Sequence, residues 1–413
     1  MPKFLSQTPK TSEAESAYAW ARLFASVAVG TVGSVGLWSY VVALPAVQAD
    51  FSVPRADASM PYTFTMFGFA FGAVLLGKVV DRFSLVAAVV MGALFVSAGY
   101  IASGFAPRLW LFAVACIAIG FGSSVSFAPL MADISHWFTR RRGIAVTLVA
   151  CGNYISGTIW PPVVQHSIET NGWRFTHIAL GIFCLVTMIP LCLALRRRVA
   201  THAEDKGDVA AMSAEASLGI SRGTLMMLIC IAGVSCCVAM SMPQVHIVAY
   251  CGDLGYGAAR GAEMLSLMLG FGIISRAASG FIADKIGGVA TLLLGSGLQG
   301  IALFLYIFFD GLTSLYVISA LFGLFQGGIV PMYAIIVRQY FPAREAGARV
   351  GYAIFATIVG MALGGWLSGW IFDLTGSYHA AFLNGLAWNL LNVSIVSWLL
   401  FRTRTRTPKL ALA

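Results

Sequence analysis

Along the chain, apolar runs of roughly 20 residues or more alternate with short polar segments that hold nearly all of the charge. A run of that length crosses a hydrocarbon core about 30 Å thick as a helix, because lipid offers no partner for backbone groups that a helix satisfies within itself. The pattern predicts helices at about 21–44, 58–80, 85–105, 109–137, 143–168, 174–195, 223–250, 261–283, 289–309, 312–339, 348–371 and 380–401. This is an all-α membrane protein with twelve transmembrane helices, and the even count puts both termini on one side. The first 20 residues are mostly polar. The first apolar stretch is longer than a signal-peptide core of roughly 7–15 residues and has no evident cleavage site, so no cleaved leader is expected.

Composition agrees with that reading. Of 413 residues, 59% are hydrophobic and 10% charged, with a mean hydropathy of +0.83, more apolar surface than a soluble core can hide. Basic residues resist translocation. With the termini placed inside, twenty-one of the 26 Lys and Arg fall in inside segments, and only Arg55, Arg108, Arg174 and Arg260 lie outside. The remaining one, Arg276, lies within a span. The net charge of +9 is therefore a topology signal, and no clustered basic domain points to nucleic acid. The expected location is the cell inner membrane, multi-pass, with cytoplasmic termini and the lipid bilayer as solvent.

The eight cysteines show no Cys-x-x-Cys spacing, and the six histidines are scattered without ligand spacing, so no metal or cofactor is expected. A membrane enzyme would need a nucleophile with a positioned base, and an ATP-driven pump a Gly-x-x-x-x-Gly-Lys-Ser/Thr loop. Neither is present in the sequence.

The long polar segment from Arg196 to Arg222 divides the chain into an N-terminal six-helix bundle (1–195), a cytoplasmic linker (196–222) and a C-terminal six-helix bundle (223–413). The halves repeat. Gly77, Asp81 and Arg82 end the second span as Gly280, Asp284 and Lys285 end the eighth, 203 residues later, and Trp137-Phe138 and Tyr340-Phe341 share that offset. A parallel repeat of six helices is an architecture of secondary transporters, and these Gly-x-x-x-Asp-Arg/Lys turns resemble the signature of the major facilitator superfamily. Phe83-Ser84 departs from it, standing where the family usually has Gly and a further basic residue. Both turns read as a cytoplasmic gate: the glycine permits close helix approach, and the Asp pairs with a basic group or a helix N-terminus in one access state. The alternative is a solvated turn that only fixes topology.

Arg276 carries the most chemistry. Eight residues before Asp284, it lies about 12 Å above the turn, near the middle of the bilayer. An arginine there costs about 3 kcal/mol or more, so it should face the bundle interior and meet an anion. No carboxylate shares its depth: Asp57, Glu263, Asp310 and Asp373 fall near the outer ends of spans, and Asp81, Asp133 and Asp284 near the inner ones. The missing partner is then a substrate carboxylate, which a guanidinium grips with two parallel hydrogen bonds. The alternative is an arginine satisfied by backbone carbonyls or by Asp133. His246, after Pro243 in the seventh span, is a second candidate, able to change charge near physiological pH and so to carry a proton.

Beyond the superfamily, the chain resembles the monocarboxylate transporters and the bacterial oxalate:formate antiporters along nearly its whole length. The resemblance rests on Leu44-Pro45-Ala46-Val47-Gln48-Ala49-Asp50-Phe51, on Arg140-Arg141-Arg142-Gly143 after Trp137-Phe138, and on Pro161-Pro162. It continues through His246 to Tyr250 with Asp253-Leu254-Gly255, Ser275-Arg276, Asp284-Lys285-Ile286-Gly287, Tyr340-Phe341-Pro342-Ala343-Arg344, and Phe372-Asp373-Leu374-Thr375-Gly376-Ser377-Tyr378. It implies that Arg276 pairs with the substrate carboxylate and that Trp38, Phe127, Asn153, His246 and Gln326 line the cavity. The second cation of the oxalate carrier, a lysine, falls on Thr357, which implies a monoanion. The animal transporters' Asp one turn before the arginine falls on Gly272, and helix 1 has no lysine, so their proton handling does not transfer.

Glycines in spans 8 and 11 give faces for close packing, and Pro129, Pro161, Pro162, Pro243 and Pro331 favour bends. Tyr40, Tyr154, Tyr333 and Tyr352 are candidates for closing the pathway. The expected function is alternating-access transport of a lactate- or pyruvate-like monocarboxylate with proton symport, one chain forming the transport unit. Alternatives are anion exchange of the oxalate:formate type, and a carrier for a non-carboxylate solute such as a drug or sugar, for which Arg276 is dispensable. A carboxylate sensor of this fold would usually add a signalling domain.

Overall fold

The computed structural model describes residues 15–138, 141–197 and 220–406, nearly all of them helical. Among the described residues, eleven helical stretches are long and apolar enough to cross a membrane. One of these, Gly143–Leu193, runs for 51 residues, about 76 Å and far more than a single crossing needs. It turns at Gly172, whose φ of +81° is a conformation that side chains rarely adopt. The hydroxyls of Ser167 and Thr176 meet at 2.8 Å across that turn, which only a helical hairpin allows.

Twelve spans follow. They are α1 (Ala17–Phe51), α2 (Arg55–Arg82), α3 (Leu85–Gly104), α4 (Leu109–Ile134), α5 and α6 (the parts of Gly143–Leu193 before and after Gly172), α7 (Arg222–Asp253), α8 (Ala258–Ile286), α9 (Gly288–Phe308), α10 (Leu312–Tyr340), α11 (Glu345–Thr375) and α12 (Tyr378–Arg402). Several run past their predicted ends, because caps rather than bilayer thickness stop a helix. The Ser16 hydroxyl caps α1 by accepting the Ala19 N–H, and left-handed Ser52 ends it. The predicted linker lies for the most part outside the described residues.

Four spans are interrupted: α1 at Ser34, α4 at a short 3₁₀ turn before Phe127, α5 at Cys151, and α10 at Gly327 and Gly328. Pro129 and Pro331 sit in the first turn of the segments after two of these breaks, where a missing N–H costs little. Pro161, Pro162 and Pro243 lie inside continuous helix, so the bends expected there do not become breaks.

Large apolar side chains such as Phe105, Phe281 and Phe401 are exposed on the outside of the bundle, as lipid-facing positions require. The first six spans meet the last six chiefly through α2 against α11 and α5 against α8. One end of the bundle carries the basic turns after α2, α4, α8 and α10, and is called the basic face below.

Every described hydrogen bond between the two sets of six lies at or beyond the level of Arg276, on the side away from that face. From Arg276 to the basic face the halves stand apart. Phe71, Val74 and Leu75 of α2 are exposed, as are Tyr352 and Phe355 of α11.

Candidate functional site

Midway through the bundle a cavity of about 130 Å³ lies between the two sets of six. Trp38 of α1, Phe127 of α4, Asn153 and Tyr154 of α5, Arg276 of α8 and Thr357 of α11 all line it. Six residues singled out in the sequence thus converge on one small space, although they come from five helices.

Arg276 is 7% exposed. Its Nε–H donates to the Gly327 carbonyl at 3.2 Å and one Nη1–H to the Ala150 carbonyl at 2.9 Å. Both carbonyls sit at interruptions, Ala150 at the end of the first segment of α5 and Gly327 between the segments of α10. The helix breaks therefore serve the cation, which bridges the two halves. Its guanidinium carbon lies 4.3 Å from the centre of the Tyr154 ring and 5.9 Å from that of Phe127, so aromatic faces supply part of the missing negative potential. Of the five N–H donors of a guanidinium, three make no hydrogen bond among the described residues.

The alternative partners are thereby sorted. Carbonyls hold part of Arg276, whereas Asp133 is taken by Arg22, whose Nε and Nη2 donate to its two oxygens at 2.7 and 2.8 Å. That pair, with Arg22 only 2% exposed, pins α1 to α4 near the basic face. Among the described residues, no carboxylate lies within ion-pair distance of Arg276.

The remaining wall is amide and aromatic. Asn153 accepts the Trp38 indole N–H on Oδ1 at 3.1 Å, which leaves its own NH₂ available. The Thr357 hydroxyl donates back to the Ile354 carbonyl at 2.7 Å. Gly272 is explained by its neighbour: a Cβ there would stand 2.3 Å from Cε1 of Tyr154, so the aromatic platform occupies the space that a larger residue would need. Gln326 reaches the cavity only through Gln244, a residue not singled out in the sequence, whose Nε2 donates to Gln326 Oε1 at 2.9 Å.

Other expectations need correction. His246 does not line the cavity. Gln244 and His246 stand two residues apart on α7, about 200° around the helix, and the ring points the other way. Its Nε2 bonds the Gly365 carbonyl at 2.8 Å and its Nδ1 meets the Tyr378 hydroxyl at 3.0 Å. Since a carbonyl only accepts, Nε2 carries a proton, and when the ring is neutral Nδ1 accepts from Tyr378.

Tyr40 is packed on Phe112 with its hydroxyl on the Ala58 carbonyl, and Tyr333 bonds Asn392 within the C-terminal six at 3.2 Å. Both are buried away from the pathway. Tyr352 lines a second cavity, about 840 Å³, between the basic-face ends of α7 and α11.

Sequence reasoning missed the cluster that closes the face opposite the basic one. Arg55 at the start of α2 is 7% exposed and donates from Nη1 and Nη2 to Asp253 of α7 at 3.2 and 3.1 Å. Nη1 also donates to the Tyr378 hydroxyl, and the Phe372 ring lies 4.7 Å from the guanidinium carbon. Asp373 accepts the backbone N–H groups of Arg55 and Ala56 at 2.8 and 2.7 Å, capping α2. One chain of bonds thus runs from Arg55 through Tyr378 to His246. Asp253, Asp373 and Tyr378 are marked in the sequence by resemblance alone, without a role.

The motif turns at the basic face are disengaged. Asp81, Arg82, Asp284 and Lys285 are exposed and make no ion pair among the described residues. A Cβ placed on Gly77 or Gly280 would meet no atom within 4 Å, so the close approach expected of these glycines is not made while this face is open. No group of three His, Cys, Asp or Glu suited to a metal ion occurs among the described residues.

The family model of the Major Facilitator Superfamily matches residues 24–318 and 280–412. The chain belongs to the major facilitator superfamily. It is a multi-pass membrane transporter, not an enzyme. It is 28% identical over 346 residues to monocarboxylate transporter 13 of Bos taurus, an alignment covering 81% of this chain and 78% of that protein. Among solved structures, a bacterial homologue of the human lysosomal transporter Spinster, inward-facing and occupied, superposes with a TM-score of 0.71 at 11% identity, covering 95% of this chain and 98% of that one. The nucleoside transporter NupG superposes with a TM-score of 0.72 at 11% identity, covering 91% and 99%.

Proposed function

We propose that this facilitator is a secondary carrier of a small monocarboxylate, working by alternating access between two rocking six-helix halves, with the basic face cytoplasmic in the cell inner membrane. One chain is the transport unit. The observation that carries the reading is Arg276: a buried cation on the cavity wall, held by two carbonyls, with three donors unused and no carboxylate beside it among the described residues. A substrate carboxylate supplies the missing charge with two parallel hydrogen bonds.

The volume sets the size. A space of about 130 Å³ holds roughly four waters at about 30 Å³ each, which suits an acid of three or four carbons. Thr357, its hydroxyl turned back on its own helix, offers no second cation. A dianion would keep one charge unpaired, so the substrate is a monoanion such as lactate or pyruvate. The 28% identical monocarboxylate transporter 13 supports the same class.

Proton symport fits the outer gate. A second proton on His246 would replace the acceptor that Tyr378 uses and set a cation next to Arg55, so protonation from outside weakens the bonds that hold that face shut. Protonation and substrate binding then act together: the first loosens the outer gate, the second neutralises Arg276. Exchange of one anion for another is the second reading, and the cavity favours it in one respect, since no carboxylate or imidazole lines the wall among the described residues.

Uptake of radiolabelled lactate, pyruvate, formate and oxalate into proteoliposomes, with and without an inward proton gradient, tests the proposal. Monocarboxylate uptake raised several-fold by the gradient, with oxalate excluded, is expected. Uptake that responds only to anion loaded on the far side establishes exchange instead. Transport of no carboxylate overturns the reading.

A further inference from the structure

The groove of about 840 Å³ between the basic-face ends of α7 and α11 is several times larger than the cavity at Arg276. Its walls are apolar along their length, with Met226, Met227 and Val234 from α7 and Tyr352, Phe355 and Val359 from α11. Tyr352 is 63% exposed and Met227 55%, so nothing in the bundle covers this face. From Gly223 to Val234 the groove follows α7 for about 16 Å, and from Glu345 to Val359 it follows α11 for about 21 Å. One leaflet's share of a hydrocarbon core about 30 Å thick is about 15 Å. The groove therefore begins at the basic face and ends near the midplane, the depth of one acyl chain.

Its charge sits at one end. Glu345 and Arg349 line the mouth, and Arg222, next to Gly223, meets Glu345 from α7 at 3.5 Å. Arg349 donates from Nε and Nη2 to Glu345 Oε2 at 3.0 and 2.8 Å, and its other three N–H groups make no hydrogen bond among the described residues. Two arginines against one carboxylate leave a net positive charge at the level of the headgroups.

We infer that this groove binds an anionic phospholipid of the leaflet on the basic side, with its phosphate on Arg349 and one acyl chain along the apolar walls. A soluble partner does not reach walls at that depth, and a free phosphate leaves them uncovered. The competing occupant is α2. Beyond Arg276 it runs antiparallel to α11, the Tyr62 ring against Gly365 and the Thr63 hydroxyl on the Ala362 carbonyl. Continued in that register, Phe71 and Val74, both exposed, reach the level of Phe355 and Tyr352. Closure of the basic face brings α2 over the groove, so a lipid seated there opposes closure.

The test uses Cys230, a partly exposed thiol on the groove wall. Its labelling by N-ethylmaleimide, taken as the part lost in Cys230→Ser, is followed in nanodiscs of phosphatidylcholine with and without phosphatidylglycerol. Phosphatidylglycerol should slow labelling by about fivefold, the weight of one net positive charge near an anionic leaflet. Arg349→Gln should bring that slowing below about twofold. Equal labelling of wild type in the two kinds of nanodisc, a measurement that needs no charge variant, overturns the inference, as does slowing that persists unchanged in Arg349→Gln. Slowing by glycerol 1-phosphate added to phosphatidylcholine nanodiscs identifies a free anion at the mouth and overturns the lipid assignment. Slowing by lactate, with none by phosphatidylglycerol, makes α2 the occupant and overturns it likewise.

Discussion

The guanidinium of Arg276 on α8 lies 4.3 Å from the centre of the Tyr154 ring on α5, a contact made across the boundary between the halves. The cation is thus positioned in part by the half to which it does not belong, through Tyr154 and the Ala150 carbonyl, and in part by Gly327 of its own half. A contact of this kind is worth about 1–2 kcal/mol when desolvated. Tyr154→Leu should therefore weaken apparent substrate affinity by about 5- to 30-fold, whereas Tyr154→Phe, which keeps the ring face, should stay within about twofold of wild type. Saturation kinetics in proteoliposomes measure both.

Gly272 tests the same platform from below. A Cβ at that position would lie 2.3 Å from Tyr154 Cε1, so Gly272→Ala must push the ring aside. The loss of affinity should approach that of Tyr154→Leu, and the double variant should lose no more than either single one, since both remove one interaction. Additive losses would show that the glycine acts elsewhere.

Arg55 and Asp253 hold the outer gate. Breaking a fully buried pair costs about 3–5 kcal/mol, but Asp253 is 37% exposed, so screening brings the expected cost to about 1–3 kcal/mol. Arg55→Gln or Asp253→Asn should shift the population toward a carrier open to the outer face. Cys237 on the cavity wall is a built-in reporter. Its labelling by an impermeant thiol reagent added outside should rise about tenfold in either variant and vanish when Cys237→Ser is added.

His246 closes the chain from Arg55 through Tyr378 to Gly365. Gln at this position keeps an acceptor and a donor but does not titrate. Under the symport reading, His246→Gln should abolish stimulation by an inward proton gradient and leave anion exchange active. Stimulation equal to that of wild type would place the co-transported proton elsewhere.

Much of this is legible in the sequence, for definite reasons. The spans are, because hydropathy reports burial in lipid directly, and Arg276 is, because a cation at mid-bilayer is too costly to be accidental. Arg55 is not, since hydropathy reads a charge at the end of a span as loop, and its partner Asp253 lies 198 residues away. His246 attracts a cavity assignment because it is a titratable group in the right helix. Helical phase decides otherwise: Cys237, Met240 and Gln244 form the stripe on the cavity, and His246 lies about 200° from Gln244. Tyr40 fails for the same reason, two residues from Trp38. The interruptions that bring the Ala150 and Gly327 carbonyls to Arg276 leave no sequence signal beyond the Gly327-Gly328 pair.

The central claim is that Arg276 binds the transported carboxylate, and the most direct measurement is labelled lactate and pyruvate uptake by wild type, Arg276→Lys and Arg276→Ala in proteoliposomes matched for folded protein. The account predicts no carrier-mediated uptake by the alanine variant and at most a few per cent by the lysine variant, which keeps the charge but loses the fork. Uptake at wild-type rates by Arg276→Ala would contradict it, and would leave Arg276 as a brace between two helix breaks.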